Sequence, residues 1–393
     1  MYMMIDVNSP LPGEAIASEA PWTTYHSGYL NRTFAIVEAF SNYPNTLLFF
    51  SANEVIERDA SAKFAPQYLR AVTRDLKNYI KNNIKRKIPV GYSAADVRKM
   101  LWDTWNYLQC SDEDDKDDMS RADLFALNSY SWCGPEATFQ TSSFDKLVEG
   151  FKDSSVPVFF SEYGCNEVQP RTWNEVKSIY GKDMKDTFSG GVVYEYTMEP
   201  NNYGLVNVTG DELRILSDFN RLKDMFAQIK WKDVHGQKAS SKGPKAPKCS
   251  SSLIEQRGFD SNFTLPNPPD DAQDLIDDGI SPKPVGKIVK ISDYKVSLKV
   301  YDNDGKEVKG LEVKPIKDFN MAGSNDADTG TDKHKSSENH DGEEDDDEND
   351  DDSDSSNSSN DNNNDDDDDE DAAVLTRPLM WAVALPLVAM FFA

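Results

Sequence analysis

A parallel α/β fold is what this sequence predicts, and three observations carry it. Residues 47–53 and 156–163 are continuously apolar and aromatic, without polar alternation, as in strands covered on both faces. Strand-like and helix-like stretches alternate six times before residue 230. Each of the two apolar runs ends in a glutamate and a turn, Asn53-Glu54 in one and Ser161-Glu162-Tyr163-Gly164 in the other.

Taken in order, residues 1–7 read as a strand, and 32–43 as a helix with Phe34, Val37 and Phe40 on one face. The strand at 47–53 is followed by a long helix, 66–82. Tyr68, Leu69, Val72, Leu76 and Ile80 recur there at helical spacing, and Pro66 stands in the first turn. A strand at 88–92 leads to a helix at 94–108 that buries Val97, Leu101, Trp105 and Leu108. The strand at 123–130 precedes a short helix marked by Phe144, Leu147, Val148 and Phe151. After the strand at 156–163, Thr172-Trp173-Asn174-Glu175 has the capping-box pattern, and Gly181 closes that helix. The last unit is a strand at 191–197 with a helix at 218–229. A closed (β/α) barrel has eight such units, so this count is two short.

The formal net charge of −27 is unevenly spread. Residues 341–371 hold 19 acidic residues and no Lys or Arg, which leaves about −8 (−27 + 19) for the remainder. That remainder has no clustered basic face, so a nucleic-acid partner is disfavoured. The stretch 321–371 is too polar and too charged to fold and reads as a self-repelling, disordered acidic stalk. Before it, 251–320 is a Pro- and Asp-rich segment, with a small β appendage predicted around the Asp304-Gly305 turn.

Four cysteines, Cys110, Cys133, Cys165 and Cys249, form no Cys-x-x-Cys pair, and only four histidines accompany them, so no metal site is predicted. Sequence leaves three disulfide pairings open. Sequons at Asn31, Asn207, Asn262 and Asn357 point to glycosylation on a secretory route, where cysteines are oxidised. Residues 379–393 are an apolar run of about fifteen, short of the roughly twenty that span a membrane. With the small residues Ala372 and Ala373 and a short spacer, 372–393 matches a GPI-attachment signal, the alternative being a tail anchor. The first residues carry no signal-peptide pattern, and the expectation is that the chain as given lacks its beginning.

In parallel barrels chemistry sits at the carboxyl ends of the strands. Two glutamates there can flank a glycosidic bond, one as proton donor and one as nucleophile. One such residue alone would pass for a solvated loop glutamate. Two in matching positions point to a catalytic pair.

At this point the residues resemble a family. Residues 48–56, with Ala52-Asn53-Glu54-Val55, resemble the acid/base strand of the fungal GPI-anchored β-1,3-glucanosyltransferases of glycoside hydrolase family 72, the Gas/Gel type. Residues 157–166 resemble the nucleophile strand, and 126–134, 190–196 and 202–206 are similar to further family blocks. The resemblance covers 1 to about 249. It implies a (β/α)8 TIM barrel lacking its first two strand-helix units, with 1–250 as the catalytic region. It implies Glu54 as acid/base and Glu162 as nucleophile, with their carboxyl groups about 5–5.5 Å apart as retention requires. Asn53 would hold the sugar 2-hydroxyl, Tyr130 would orient the nucleophile, and Asp6 and Tyr194 would line sugar subsites. It further implies the bridges Cys133–Cys165 and Cys110–Cys249. Ser51-Ala52 replaces the family's usual small-Gly pair, and no cysteine-rich carbohydrate-binding module follows.

The implied activity is transfer between β-1,3-glucan chains by a monomeric protein without cofactor, in fungal cell wall assembly. The place implied is the outer face of the plasma membrane and the cell wall. A β-glucan hydrolase of the same clan and a catalytically dead surface remnant are the alternatives. A chain two strands short would bare raw edges at 1–7 and 191–197, and as given it is expected not to be a competent enzyme.

Overall fold

The computed structural model describes residues 2–112, 117–237, 243–284 and 286–313. The acidic stretch 321–371, the apolar segment 372–393 and Asn357 lie outside the described residues.

Six strands form one sheet in sequence order: β1 (Met3–Asp6), β2 (Thr46–Asn53), β3 (Val90–Ala95), β4 (Leu124–Ser129), β5 (Val158–Tyr163) and β6 (Gly191–Val193). All five pairings are parallel. Between the strands run α1 (Ser27–Ser41), α2 (Asp59–Phe64), α3 (Pro66–Asn83), α4 (Arg98–Gln109), α5 (Phe144–Phe151) and α6 (Glu175–Ile179). This is the α/β arrangement predicted. Among the described residues β1 and β6 are the sheet's two edges.

The unalternated runs are explained by two separate apolar faces. Phe49, Phe125, Leu127 and Phe160 pack with the helices in the main core. Leu48, Phe50, Leu124 and Ala126, with Met4 and Phe159, form a second cluster of their own. Alternate residues therefore leave opposite faces of strands that are apolar on both.

Several boundaries differ from expectation, each for a local reason. Helix α1 starts at Ser27 rather than 32 because His26 caps it, its Nδ1 accepting from the Tyr29 amide at 3.1 Å. β3 runs on to Ala95, since Ser93 and Ala94 still pair with β4. The short α2 was not foreseen. The capping box at 172–175 does not form: α6 begins at Glu175, and no side chain caps it. The chain enters through Trp173 at φ 58°, whose indole is buried. β6 ends at Val193 rather than 197, and the Tyr194 carbonyl accepts from the Arg171 side chain instead of a strand.

After β6 come β7 (Val206–Thr209) and β8 (Glu212–Ile215), an antiparallel hairpin turned at Gly210 that sequence reading missed. Next are α7 (Ser217–Phe226), α8 (Trp231–His235) and α9 (Ala272–Asp278). The hairpin around Asp304-Gly305 is present as β9 (Lys299–Tyr301) and β10 (Glu307–Val308). It does not stand alone, because β9 pairs in parallel with β8 to make a sheet ordered β10-β9-β8-β7. Helix α9 is docked on the first helices. Ala272 and Ile276 are buried, the Ile276 carbonyl accepts from Asn82 (3.2 Å) and Asn83 (2.9 Å), and the Ile280 amide donates to Tyr79 Oη (3.3 Å). The Pro- and Asp-rich composition hid this contact.

The cysteines pair as Cys110–Cys249 and Cys133–Cys165. The first bridge joins the end of α4 to a segment 139 residues later, a closure worth about 5 kcal/mol on the chain-entropy model.

Glu175 tests the packing behind β5. Burial first of all pushes its carboxyl from 4.5 up to about 7, against its backbone hydrogen bond and the nearby Arg171 charge. Between these two values the native protein keeps a proton that the unfolded chain has released. Stability from this group therefore falls as pH rises from 4.5 to 7, and the cost is complete above that. Glu175→Gln is expected to stabilise the protein by up to about 3 kcal/mol at pH 8 and by little near pH 4.5, as read from urea unfolding at the two pH values.

Candidate active site

The carboxyl ends of the central strands carry a polar layer above the apolar cluster of Leu48, Phe50, Leu124 and Ala126. Its centre is Asn128 of β4, only 2% exposed. The Asn128 Oδ1 accepts from Ser93 Oγ of β3 (3.0 Å) and from Ser161 Oγ of β5 (2.6 Å). The two hydroxyl oxygens themselves lie 2.8 Å apart. With Oδ1 so engaged, Nδ2 is turned toward β2, where it donates to Asn53 Oδ1 at 3.1 Å and also reaches the Glu54 carboxyl. One amide thus ties four strands together at the level of the site.

Glu54 follows β2 at φ 53°, a left-handed conformation that costs a non-glycine residue about 1–3 kcal/mol. Its amide is held by the Ser93 carbonyl at 2.8 Å, and the next turn by the Ile56 amide donating to Tyr92 Oη at 3.1 Å. Burial raises the Glu54 pKa above the usual carboxylate value, the Asn128 hydrogen bond opposes this, and Glu57 adds to it.

Glu162 stands near the end of β5, and Tyr130, just past β4, donates its hydroxyl to Glu162 Oε2 at 2.5 Å. Burial raises the Glu162 pKa, the Tyr130 hydrogen bond lowers it, and the charges of Glu54 and Glu195 raise it further. The Tyr130 ring meets Tyr194 edge-on at 6.1 Å and Tyr203 at 5.5 Å, and those two meet each other at 5.1 Å. Asn201 Nδ2 donates to Tyr194 Oη at 3.2 Å. Glu54, Glu162, Asn53, Tyr130 and Tyr194 are therefore gathered at one end of the sheet.

Asp6 ends β1 at the same end. Its Oδ1 accepts from the Asn8 amide (2.9 Å) and from Asn8 Nδ2 (2.7 Å), and Asn8 in turn donates to the Ser51 carbonyl (2.9 Å) and accepts from Tyr29 Oη (2.7 Å). Burial raises the Asp6 pKa against these bonds and the Arg32 charge. Among the described residues no hydrogen bond joins Asp6 to Asn53, Glu54 or Glu162.

Cys133–Cys165 fastens the loop after Tyr130 to the loop after Glu162. The grouping of these sulfurs with Glu167 offers no free thiolate for a metal, because the sulfurs are bonded to each other. Asn31, Asn207 and Asn262 are exposed.

Sequence reading missed Asn128, Tyr203 and Glu195 as site residues. All three lie inside blocks already singled out, at 126–134, 202–206 and 190–196. No spacing rule separates them from their neighbours there.

A family model described as "Glucanosyltransferase", that of glycoside hydrolase family 72, matches residues 1–230. The chain belongs to this family. The matched residues contain β1 to β6 and every residue of the site, while Cys249 falls outside. Among curated relatives, the 1,3-beta-glucanosyltransferase gel2 of Aspergillus fumigatus is 45% identical over 80% of this chain and 65% of its own length. The probable 1,3-beta-glucanosyltransferase GAS3 of Saccharomyces cerevisiae is 43% identical over 75% of this chain and 58% of its own. Among solved structures, a mutant Saccharomyces cerevisiae Gas2p in complex with laminaritetraose and laminaripentaose is similar at 33% identity and TM-score 0.58, over 70% of this chain and 57% of that one. The chain thus spans somewhat under two thirds of the family members it matches. The family's fold is the (β/α)8 TIM barrel, and the described residues supply six of its parallel strands.

Removing the Tyr130 hydroxyl takes a donor from the charged form of Glu162. A hydrogen bond to a charged group is worth about 1.5–3 kcal/mol, or about 1–2 pH units. Tyr130→Phe is therefore expected to raise the Glu162 pKa by that amount, measured by carbon-13 NMR titration of its carboxyl.

Proposed function

We propose that this chain carries the catalytic barrel of a β-1,3-glucanosyltransferase. Such an enzyme cleaves a β-1,3-glucan chain internally and passes the new reducing end to the non-reducing end of a second chain. The observation that carries the reading is the pair of strand-end carboxylates held in unlike ways, Glu162 by a tyrosine hydroxyl and Glu54 by a buried amide. Family membership, the names of the relatives and the laminari-oligosaccharides bound to Gas2p support it.

In the first step Glu162 attacks the anomeric carbon while Glu54 protonates the leaving glycosidic oxygen, and a glycosyl ester forms on Glu162. In the second, Glu54, now a carboxylate, takes the proton of an incoming 3-hydroxyl, whose oxygen displaces Glu162 from the anomeric carbon. Two inversions give retention. Proton, electron pair and leaving group are all accounted for by the two glutamates and the sugars, so no cofactor enters these steps. Acid/base assistance of this kind contributes roughly 10²–10⁴-fold. It needs the shared proton on Glu54 and the charge on Glu162, and the short Tyr130 hydrogen bond favours that division. Asn53 holds the 2-hydroxyl, Tyr130 orients the nucleophile, and Asp6 and Tyr194 line sugar subsites.

The protein acts as a monomer on β-1,3-glucan donor and acceptor chains at the outer face of the plasma membrane and in the fungal cell wall, tethered by a GPI anchor whose attachment signal is 372–393. Two disulfides fit an oxidising compartment. Asn31, Asn207 and Asn262 are open to glycans, with Asn357 as a fourth acceptor.

The test is product analysis of the full-length protein on a β-1,3-gluco-oligosaccharide. Oligosaccharides longer than the donor are expected. Shorter ones alone would make the protein a hydrolase, and no turnover would make it a surface protein without catalysis. Glu54→Gln and Glu162→Gln should each abolish transfer while melting near the wild-type temperature.

A further inference from the structure

We propose that Arg171 is a positioning residue for the transfer site: its buried guanidinium fixes the backbones of the nucleophile loop and of the two tyrosines that hold Tyr130 on Glu162. The inference rests on the function proposed above. Arg171 lies between β5 and α6 and is 2% exposed. Its Nη2 donates to the Tyr203 carbonyl at 2.7 Å, and its Nη1 to the Tyr194 carbonyl at 3.1 Å and to the Gly164 carbonyl at 3.5 Å. Its Nε donates to Asp218 Oδ2 of α7 at 2.5 Å.

Those three carbonyls belong to three separate segments of the site. Gly164 closes the turn after Glu162, Tyr194 follows β6, and Tyr203 precedes β7. The cation is itself held from behind. Its guanidinium lies 4.4 Å over the Trp173 ring, and Trp173 Nε1 donates to the Asp218 carbonyl at 3.1 Å. Arg221 Nε donates to the Arg171 carbonyl at 2.9 Å, and the Arg221 guanidinium also pairs with Asp218. A Cβ at Gly164, where φ is 118°, would come within 2.6 Å of the Trp173 ring, so the nucleophile loop reaches this cation only with glycine there.

The consequence for chemistry runs through the rings. Tyr194 and Tyr203 both meet Tyr130 edge-on, and the aim of the Tyr130 hydroxyl at Glu162 depends on where they stand. A planar fork can hold several acceptors at fixed angles, which a lysine ammonium cannot. The groups facing Glu162 are Tyr130 from the β4 loop, Glu54 after β2 and Glu195 after β6, with Tyr194 and Tyr203 alongside; burial raises the pKa of Glu195 and of Tyr203, and the Arg171 charge acts on both to lower it. A change at Arg171 that keeps the charge keeps a cation beside Glu195 and reaches Glu162 through the placement of Tyr130, which the double variant isolates.

The test compares full-length wild type with Arg171→Lys, Tyr130→Phe and the double variant. It reads kcat on a β-1,3-gluco-oligosaccharide and the carboxyl carbon-13 titration of Glu162. Arg171→Lys is expected to lower kcat roughly 10–100-fold, since misplacement by about 1 Å costs that much. It should raise the Glu162 pKa in the direction of Tyr130→Phe and add little to it in the double variant. A folded Arg171→Lys protein whose Glu162 titrates as in wild type would overturn the proposal, whatever its melting temperature. If that variant does not fold, Asp218→Ala, which removes the acceptor of Nε and so frees the guanidinium, is read in the same way. A raised Glu162 pKa then supports the proposal and an unmoved one overturns it. Absence of transfer by wild type would count against the proposed function alone, because the titration needs no turnover.

Discussion

The site is organised around the buried amide of Asn128. Two serine hydroxyls, from β3 on one side and β5 on the other, occupy its oxygen, and this leaves the nitrogen only one way to point, toward Asn53 and Glu54. The strand that carries Glu54 and the strand that carries Glu162 are not neighbours, since β3 and β4 lie between them. Something must set their relative height across that gap. Backbone ladders do it only pairwise, and three of the five ladders slip in register near these levels. Asn128 answers to four of the strands, β2 to β5, at once. A buried network of this kind is valuable only when its members are satisfied, and here both atoms of the Asn128 amide and both serine hydroxyls have partners.

Beneath the amide, the small apolar cluster of Leu48, Phe50, Leu124 and Ala126 keeps the layer dry from below. Above it the tyrosines take over. The arrangement passes from hydrocarbon to amides and hydroxyls to carboxylates along each strand, and side-chain alternation explains how. Leu124, Ala126 and Asn128 share one face of β4, while Phe125 and Leu127 serve the helix side. One strand thus meets a packing demand on one face and a chemical one on the other.

How much of this was legible in the sequence depends on the range of the interaction that decides each feature. Local patterns were readable: six apolar strands, the amphipathic α3 behind Pro66, and the Asp304-Gly305 hairpin. Glu54 and Glu162 stood out because each follows a run that betrays a buried strand. Features decided by distant partners were not readable. The capping box at 172–175 has the right letters, but Arg171, Trp173 and Asp218 pack together and turn the chain so that the helix begins at Glu175. β6 ends early because Arg171 takes the Tyr194 carbonyl. α9 sits in a segment whose prolines and aspartates suggest a linker, yet Ile276 finds a buried place against α3. Asn128 looks like any polar residue late in a strand until Ser93 and Ser161 are seen on either side.

The division of labour proposed for the two glutamates rests on the same geometry. Burial raises both, so burial alone cannot tell an acid from a nucleophile. Glu162 is pushed further by two other carboxylates, Glu54 and Glu195. What opposes this is the Tyr130 hydroxyl, which gives its hydrogen to Oε2 and so stabilises the ionised form. Glu54 has only a share of the Asn128 amide, which also serves Asn53. On the proposed assignment the stronger donor faces the nucleophile, which leaves the acid role to Glu54. Because the two groups interact, the acid's proton belongs to the pair, and any change that loosens Tyr130 redistributes it. The proposed catalytic assignment therefore rests as much on the tyrosine wall and the cation behind it as on the glutamates themselves.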